Sequence, residues 1–190
     1  MRLEYLLKDI QEEMYRKIME NHAIDPEEAK AISKLVGLAA VKYGDLSNQA
    51  SKDYVFDIER FTSFEGNTGP YILYTIVRMK SILAKYKAAG HEVADAKILP
   101  ARSESEKALM LELTRFNASM ETAFAETAPH KVCAYIYDLA NALNHFYHET
   151  KILAEEDEAV QAGYICLLEL TKGILEKCID VLGFSAPERM

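Results

Sequence analysis

Residues 66–90 read GNTGPYILYTIVRMKSILAKYKAAG, and this stretch decides the fold. Pro70 stands where a first-turn proline is tolerated, because the amide it lacks would have no partner there. Gly90 stands where a helix stops. Between them, at about 100° per residue, Ile72, Ile76, Met79 and Leu83 gather on one side. Tyr71, Tyr74, Arg78 and Lys85 gather on another, about 150° away. Apolar residues at three- and four-residue spacing predict an amphipathic helix that turns one face to a core. The same stretch holds Arg78, Lys80, Lys85 and Lys87 and no acid, in a chain that carries 30 acidic residues.

Working outward, the same rhythm runs through 3–20, 27–43, 105–125, 131–153 and 159–182, so the expected fold is all-α. Asp25 is placed to cap the second helix, with Pro26 in its first position and Glu28 completing a capping box. Ser103 and Glu106 repeat that arrangement. Pro129 opens a helix and Gly183 closes one. Only 44–69 lacks helical rhythm. There Phe56, Phe61 and Phe64 are expected to anchor the chain to the core while Gly66-Asn67-Thr68-Gly69 turns it. A soft boundary therefore separates 1–69 from 70–190. A second loop, about 90–102 with Pro100, leads into the last three helices. No repeat, low-complexity tract or strand pattern stands out.

The 190 residues, 49% apolar, suffice for a real core. A net charge of −8 does not suggest a nucleic-acid partner from overall balance, so any anion-binding surface has to be local. Cys133, Cys166 and Cys178 are odd in number, widely spaced and without a CxxC pair, which argues against a disulfide framework or zinc site and fits a reducing cytosol. The opening Met1-Arg2-Leu3-Glu4-Tyr5 enters an acidic amphipathic helix without the apolar run of a signal peptide. Apolar runs fall short of a membrane span. The expectation is a soluble, cytoplasmic protein with no membrane partner.

On the Pro70 helix, two aromatic rings stand with two cations on the face opposite the core. Unstacked bases are held by stacking on aromatic rings and by cations that meet phosphate or base, so single-stranded RNA is a natural ligand for this face. Helical tyrosines also pack partly into cores with a wet hydroxyl, and Lys/Arg runs are often only solvated. His145 and His148 share a helical face at i, i+3 with Glu149 nearby, but spacing fixes no third metal ligand. Tyr135 and Tyr137 read as core and helix seam. Glu155-Glu156-Asp157-Glu158 and Asp25–Glu28 read as helix N-terminal charge or solvated loop. P-loop, GxGxxG, GxSxG and HExxH patterns are absent, and nothing resembles an active site. The rivals are a helical module that binds protein, expected to show an exposed apolar patch, and a small helical enzyme built around Asp138, His145 and His148, which spacing does not support.

The run from Phe56-Asp57-Ile58-Glu59-Arg60 through Ser63-Phe64-Glu65-Gly66-Asn67-Thr68-Gly69-Pro70-Tyr71, with Tyr74 and Arg78 beyond it, resembles arginyl-tRNA synthetases. The end resembles them too, in Phe146-Tyr147-His148, a long helix, and a final Pro187-Glu188-Arg189-Met190. A cysteinyl-type synthetase module is disfavoured by the Phe-Glu-Gly-Asn-Thr-Gly-Pro-Tyr run. The resemblance implies a helical bundle of the class I synthetase anticodon-binding (DALR) type, preceded by helices that join it to a catalytic core. It implies recognition of the anticodon loop of arginine tRNA, within a ligase that joins arginine to its tRNA and uses ATP and magnesium. Tyr71, Tyr74 and Arg78 match the family's anticodon-binding helix. Ser63, Phe64, Glu65, Gly66, Asn67 and Thr68 match a loop that touches tRNA and relays its presence toward the active site. Phe146, Tyr147 and His148 match a helix flanking the anticodon pocket, and Met190 matches a terminus that approaches the anticodon. The departures are the missing HIGH-type and KMSKS-type motifs, the missing N-terminal domain, and Ile58 in place of the usual Trp. The implied fragment therefore lacks the N-terminal catalytic partner, holds no cofactor or metal of its own and is inactive alone, and Met1 is expected to mark a truncation.

Overall fold

The computed structural model describes residues 2–21, 24–92 and 96–190. Met1 and the middle of the expected 90–102 loop, residues 93–95, lie outside the described residues. The described chain is helical, in the order α1 (Leu3–Asn21), α2 (Pro26–Leu46), α3 (Ile58–Phe61), α4 (Gly69–Ala88), α5 (Glu104–Thr114), α6 (Phe116–Ala125), α7 (Pro129–Glu149) and α8 (Glu158–Val181).

The apolar faces read from the sequence meet in one core. Ile10 and Met14 of α1, Val36 and Ala40 of α2, Ile72 and Ile76 of α4, Ile136 and Leu139 of α7, and Leu168 and Leu175 of α8 are all fully buried within one cluster. Each of these side chains larger than Ala40 contributes about 1.5–3 kcal/mol through burial. That core runs without interruption across the 69/70 position. In α1 and α2, a Cβ on Gly37 would touch Ile10 and Gln11, so the two helices lie against each other.

Local signals place most helix ends. The Asp25 carboxylate accepts from the amides of Glu27 and Glu28, and Thr68 Oγ1 accepts from the amide of Tyr71. Gly90 and Gly183 take φ of 85° and 83°, the left-handed conformation that ends a helix. Two expected capping boxes differ in detail. Glu28 does not turn back to its own helix start, since its carboxylate holds Arg189. Glu106 reaches the amide of Arg102 at 2.7 Å, one residue before the cap.

Three boundaries depart from the rhythm. The run 105–125 is two helices broken at Arg115, whose amide bonds three residues back to Glu112 O. No Gly or Pro marks that break; α5 and α6 bend because each packs separately on α7. The run 131–153 stops at Glu149, where Thr150 is extended and a 3-10 turn follows over Ile152–Ala154. Gln161 Nε2 fixes that turn by donating to Ile152 O, Leu153 O and Glu155 O. Within 44–69, α2 persists to Leu46 and α3 forms one turn, capped by Asp57. Phe61 is buried there and stacks on Phe56 with centroids 4.4 Å apart. Cys133, Cys166 and Cys178 are free thiols, and burial pushes Cys133 and Cys178 up to about 12.

Candidate nucleic-acid interface

The polar face of α4 is laid against α7. Thr75 meets Asn144 and Arg78 meets Tyr147, so the two helices run parallel with a constant offset. At the N-terminal end of the seam, Tyr71 donates its hydroxyl to Asn141 Oδ1 at 2.7 Å and accepts from Asn144 Nδ2 at 2.7 Å. Its ring meets Tyr137 edge-on, with centroids 5.9 Å apart. Burial pushes the Tyr71 phenol above its ordinary value. About two turns on, Arg78 Nη1 donates to Asn144 Oδ1 at 2.8 Å. Asn144 thus joins Tyr71, Thr75 and Arg78 through one side chain.

The guanidinium held by Asn144 also faces two rings. Arg78 Cζ lies 4.8 Å from the Tyr74 centroid and 5.0 Å from that of Tyr147. Cations in such positions are attracted to the negative ring faces. Tyr74 is 37% exposed, Tyr147 is half-buried, and exposed His148 sits beside Tyr147 with centroids 5.7 Å apart. The result is a set of rings around a cation, pre-assembled before any ligand arrives.

Of the residues singled out in the sequence, Tyr74, Arg78, Tyr147 and His148 come together here. Tyr71 joins them as a brace, since its ring and hydroxyl are already engaged. Phe146 does not join them. It is fully buried and packs edge-on against Tyr164, 5.4 Å away, because its position on α7 faces the core. Met190 is also placed apart. Lys80 Nζ donates to Ala186 O, Pro187 O and Glu188 Oε1, while Arg189 pairs with Glu28. These contacts carry the C-terminal tail along the Lys80 side of α4, about 200° around the helix from Arg78. The acid-free stretch in sequence is therefore not acid-free in space, for Glu176 and Glu188 both pair with Lys80.

Sequence reading missed Asn141 and Asn144, although Tyr137, Asn141, Asn144 and His148 form a polar row at helical spacing. His145, expected beside Glu149, pairs with it at 3.2 Å. No group of three or more potential metal ligands occurs among the described residues.

The loop before α4 is tied to both helices that flank it. Tyr43, fully buried in α2, donates its hydroxyl toward Asn67 Oδ1 at 2.5 Å and Cys133 O at 2.9 Å. Thr68 Oγ1 donates to Ser63 O at 2.6 Å, and Ser63 Oγ accepts from the Glu65 amide at 3.0 Å. Gly66 takes φ of 77° with nothing near its missing Cβ, so the turn needs glycine for its backbone and not for space. Phe64 is half-buried while Glu65, Gly66 and Asn67 are exposed, and Asp57, Arg60 and Ser63 help line a cleft beside them.

Residues 72–190 match the family described as DALR anticodon binding domain, and residues 1–58 match the catalytic domain of class I (R) tRNA synthetases. The chain is 65% identical to an arginine–tRNA ligase of Agathobacter rectalis, covering 100% of this chain and 33% of that protein. It is 54% identical to that of Alkaliphilus oremlandii, covering 100% and 32%. Among solved structures, arginyl-tRNA synthetase from Thermus thermophilus superposes with a TM-score of 0.88 at 29% identity, over 100% of this chain and 32% of that one. The chain thus spans about a third of the length of these relatives. Among the described residues, no helix is long and apolar enough to cross a membrane.

Proposed function

This chain belongs to the DALR anticodon binding domain family, and we propose on that footing that its α4–α7 surface reads the anticodon loop of an arginine tRNA. The single observation that carries this reading is the Arg78 guanidinium, fixed by Asn144 and set against the rings of Tyr74 and Tyr147. Bases splayed from the loop stack on the open faces of Tyr74, Tyr147 and His148, while Arg78 supplies charge where the strand passes. Tyr71 positions Asn144 and so holds the arginine in register. The 63–68 loop adds a second contact through exposed Glu65, Gly66 and Asn67. Its tie to α2 and α7 through Tyr43 gives that contact a rigid base.

The whole protein, in this reading, joins arginine to its tRNA with ATP and magnesium in the cytoplasm. Residues 1–69 link to the catalytic part and 70–190 form the anticodon-binding unit. This chain carries neither HIGH-type nor KMSKS-type residues, so no step of adenylate formation is assigned to its side chains.

Tyr74→Ala tests the surface. Loss of one base stack is expected to weaken binding of arginine tRNA by about 1–3 kcal/mol, with discrimination against an anticodon-substituted tRNA reduced. The engagement of Tyr71 favours a second reading, in which the network only braces α4 on α7. That reading predicts unchanged tRNA affinity in Tyr74→Ala.

A further inference from the structure

The acid-free stretch carries four cations, and the structure sorts them. Lys80 is engaged by two tail carbonyls, Glu188 and Glu176, and its side chain is only 15% exposed. Arg78 is held by Asn144 and two rings. Lys85 and Lys87 are exposed, and among the described residues neither has an ion-pair partner. Helix geometry separates these two. Lys85 lies about 20° around the axis from both Tyr74 and Arg78, whereas Lys87 points roughly 140° from Tyr74. Lys85 stands seven residues beyond Arg78, about 10 Å further along the same face.

A second cation arrives at the same end from α7. Asn144 stands against Thr75, α7 runs parallel to α4 for five more residues to Glu149, and Lys151 follows just beyond its end, at the start of the 3-10 turn. Lys151 is exposed and, among the described residues, unpaired. The nearby acid on α7, Glu149, is turned to His145.

We propose that Lys85 and Lys151 hold the phosphodiester backbone of the RNA strand whose bases lie on Tyr74 and Tyr147. This inference rests on the anticodon reading above and extends it from base stacking to strand path. Bases need rings, and the strand that carries them needs cations one or two phosphates away on the same side. In a chain of net charge −8, that attraction has to come from local cations, and Lys85 and Lys151 add to Arg78. Lys85 also meets the negative end of the α4 dipole. That role acts on folding and leaves the salt dependence of RNA binding untouched.

The test is a salt titration of the 190-residue chain with an arginine tRNA transcript. Each lost phosphate contact lowers the slope of log affinity against log salt by about 0.7 for a single strand. Lys85→Gln and Lys151→Gln are each expected to reduce the slope by about that amount, and the double variant by about 1.4. Over a fourfold salt range each single change means roughly 2.6-fold less loss of affinity. Lys107→Gln makes the same charge change on α5, where Lys107 is exposed and 3.8 Å from Glu104, and is expected to leave the slope alone. An unchanged slope in the Lys85 and Lys151 variants overturns the proposal, as does an equal drop in Lys107→Gln, which would mean a diffuse field. The preference for cognate over anticodon-substituted tRNA, measured alongside, separates the two levels. If it persists while the slopes do not move, only the strand path is wrong; if it is absent, both readings fall.

Discussion

Asn144 does more at the candidate interface than any residue the sequence reading named. One amide group accepts from Arg78 and donates to Tyr71 and Thr75. Its removal leaves a half-buried guanidinium with rings but no hydrogen-bond acceptor. Asn144→Ala is therefore expected to lower stability by about 1–2 kcal/mol, read from the urea midpoint at constant m. It is also expected to weaken tRNA binding less than Tyr74→Ala does. Equal or greater loss of binding in Asn144→Ala would mean that Arg78, and not the Tyr74 stack, dominates recognition. Tyr74 and Arg78 could be set on one face from the sequence because helical spacing is a local property, whereas Tyr147 and His148 were named for RNA only through the family resemblance. Asn144 was not legible there, because its importance comes from partners 66 to 73 residues away.

At the scale of elements, α4 and α2 meet backbone to backbone. A Cβ on Gly69 would stand 2.4 Å from Ala39 O, and backbone cannot yield as a side-chain tip can. Gly69→Ala is expected to push the helices apart and cost about 1–3 kcal/mol. Gly173, exposed in the middle of α8 with nothing within 4 Å of its missing Cβ, is the counterpart. Gly173→Ala is expected to raise stability by about 0.5–1 kcal/mol through helix propensity alone. Thermal unfolding of both variants checks the pair, and a loss in Gly173→Ala or none in Gly69→Ala would contradict the packing described. The break at Arg115 belongs to this scale as well. Periodicity carries on through 105–125 without a glycine or proline, so only the separate docking of α5 and α6 on α7 reveals two helices.

Across the whole molecule, the C-terminal tail closes the fold by charge. Lys42 donates to Gly183 O at 2.7 Å, Lys80 gathers the next carbonyls and Glu188, and Arg189 reaches Glu28 at the start of α2. The hydrogen bond from Lys80 holds the Glu188 carboxyl below its ordinary 4.5, and that from Arg189 does the same for Glu28. A carboxyl with a lowered folded value supports the closed tail above its ordinary value, and that support goes as pH falls through the lowered one. NMR signals of Ser185 and Arg189 are thus expected to hold steady from neutral pH down to about 4.5 and to move with a midpoint below it. A midpoint above 4.5 would mean that these pairs do not fasten the tail.

The sequence by itself determined that the chain is all-helical, where most helices begin and end, and which side of α4 faces away from the core. Those properties follow from period, caps and glycine stops, each set by residues within a turn or two of one another. Only the tertiary structure decided which polar groups remain open to a ligand. It buried Phe146 against Tyr164, engaged Tyr71 with α7, and placed the tail's acid against Lys80 from 108 residues away. The physical reason is that the partner of a side chain within its own helix is fixed by spacing, whereas its partner across a seam is fixed by how whole helices pack.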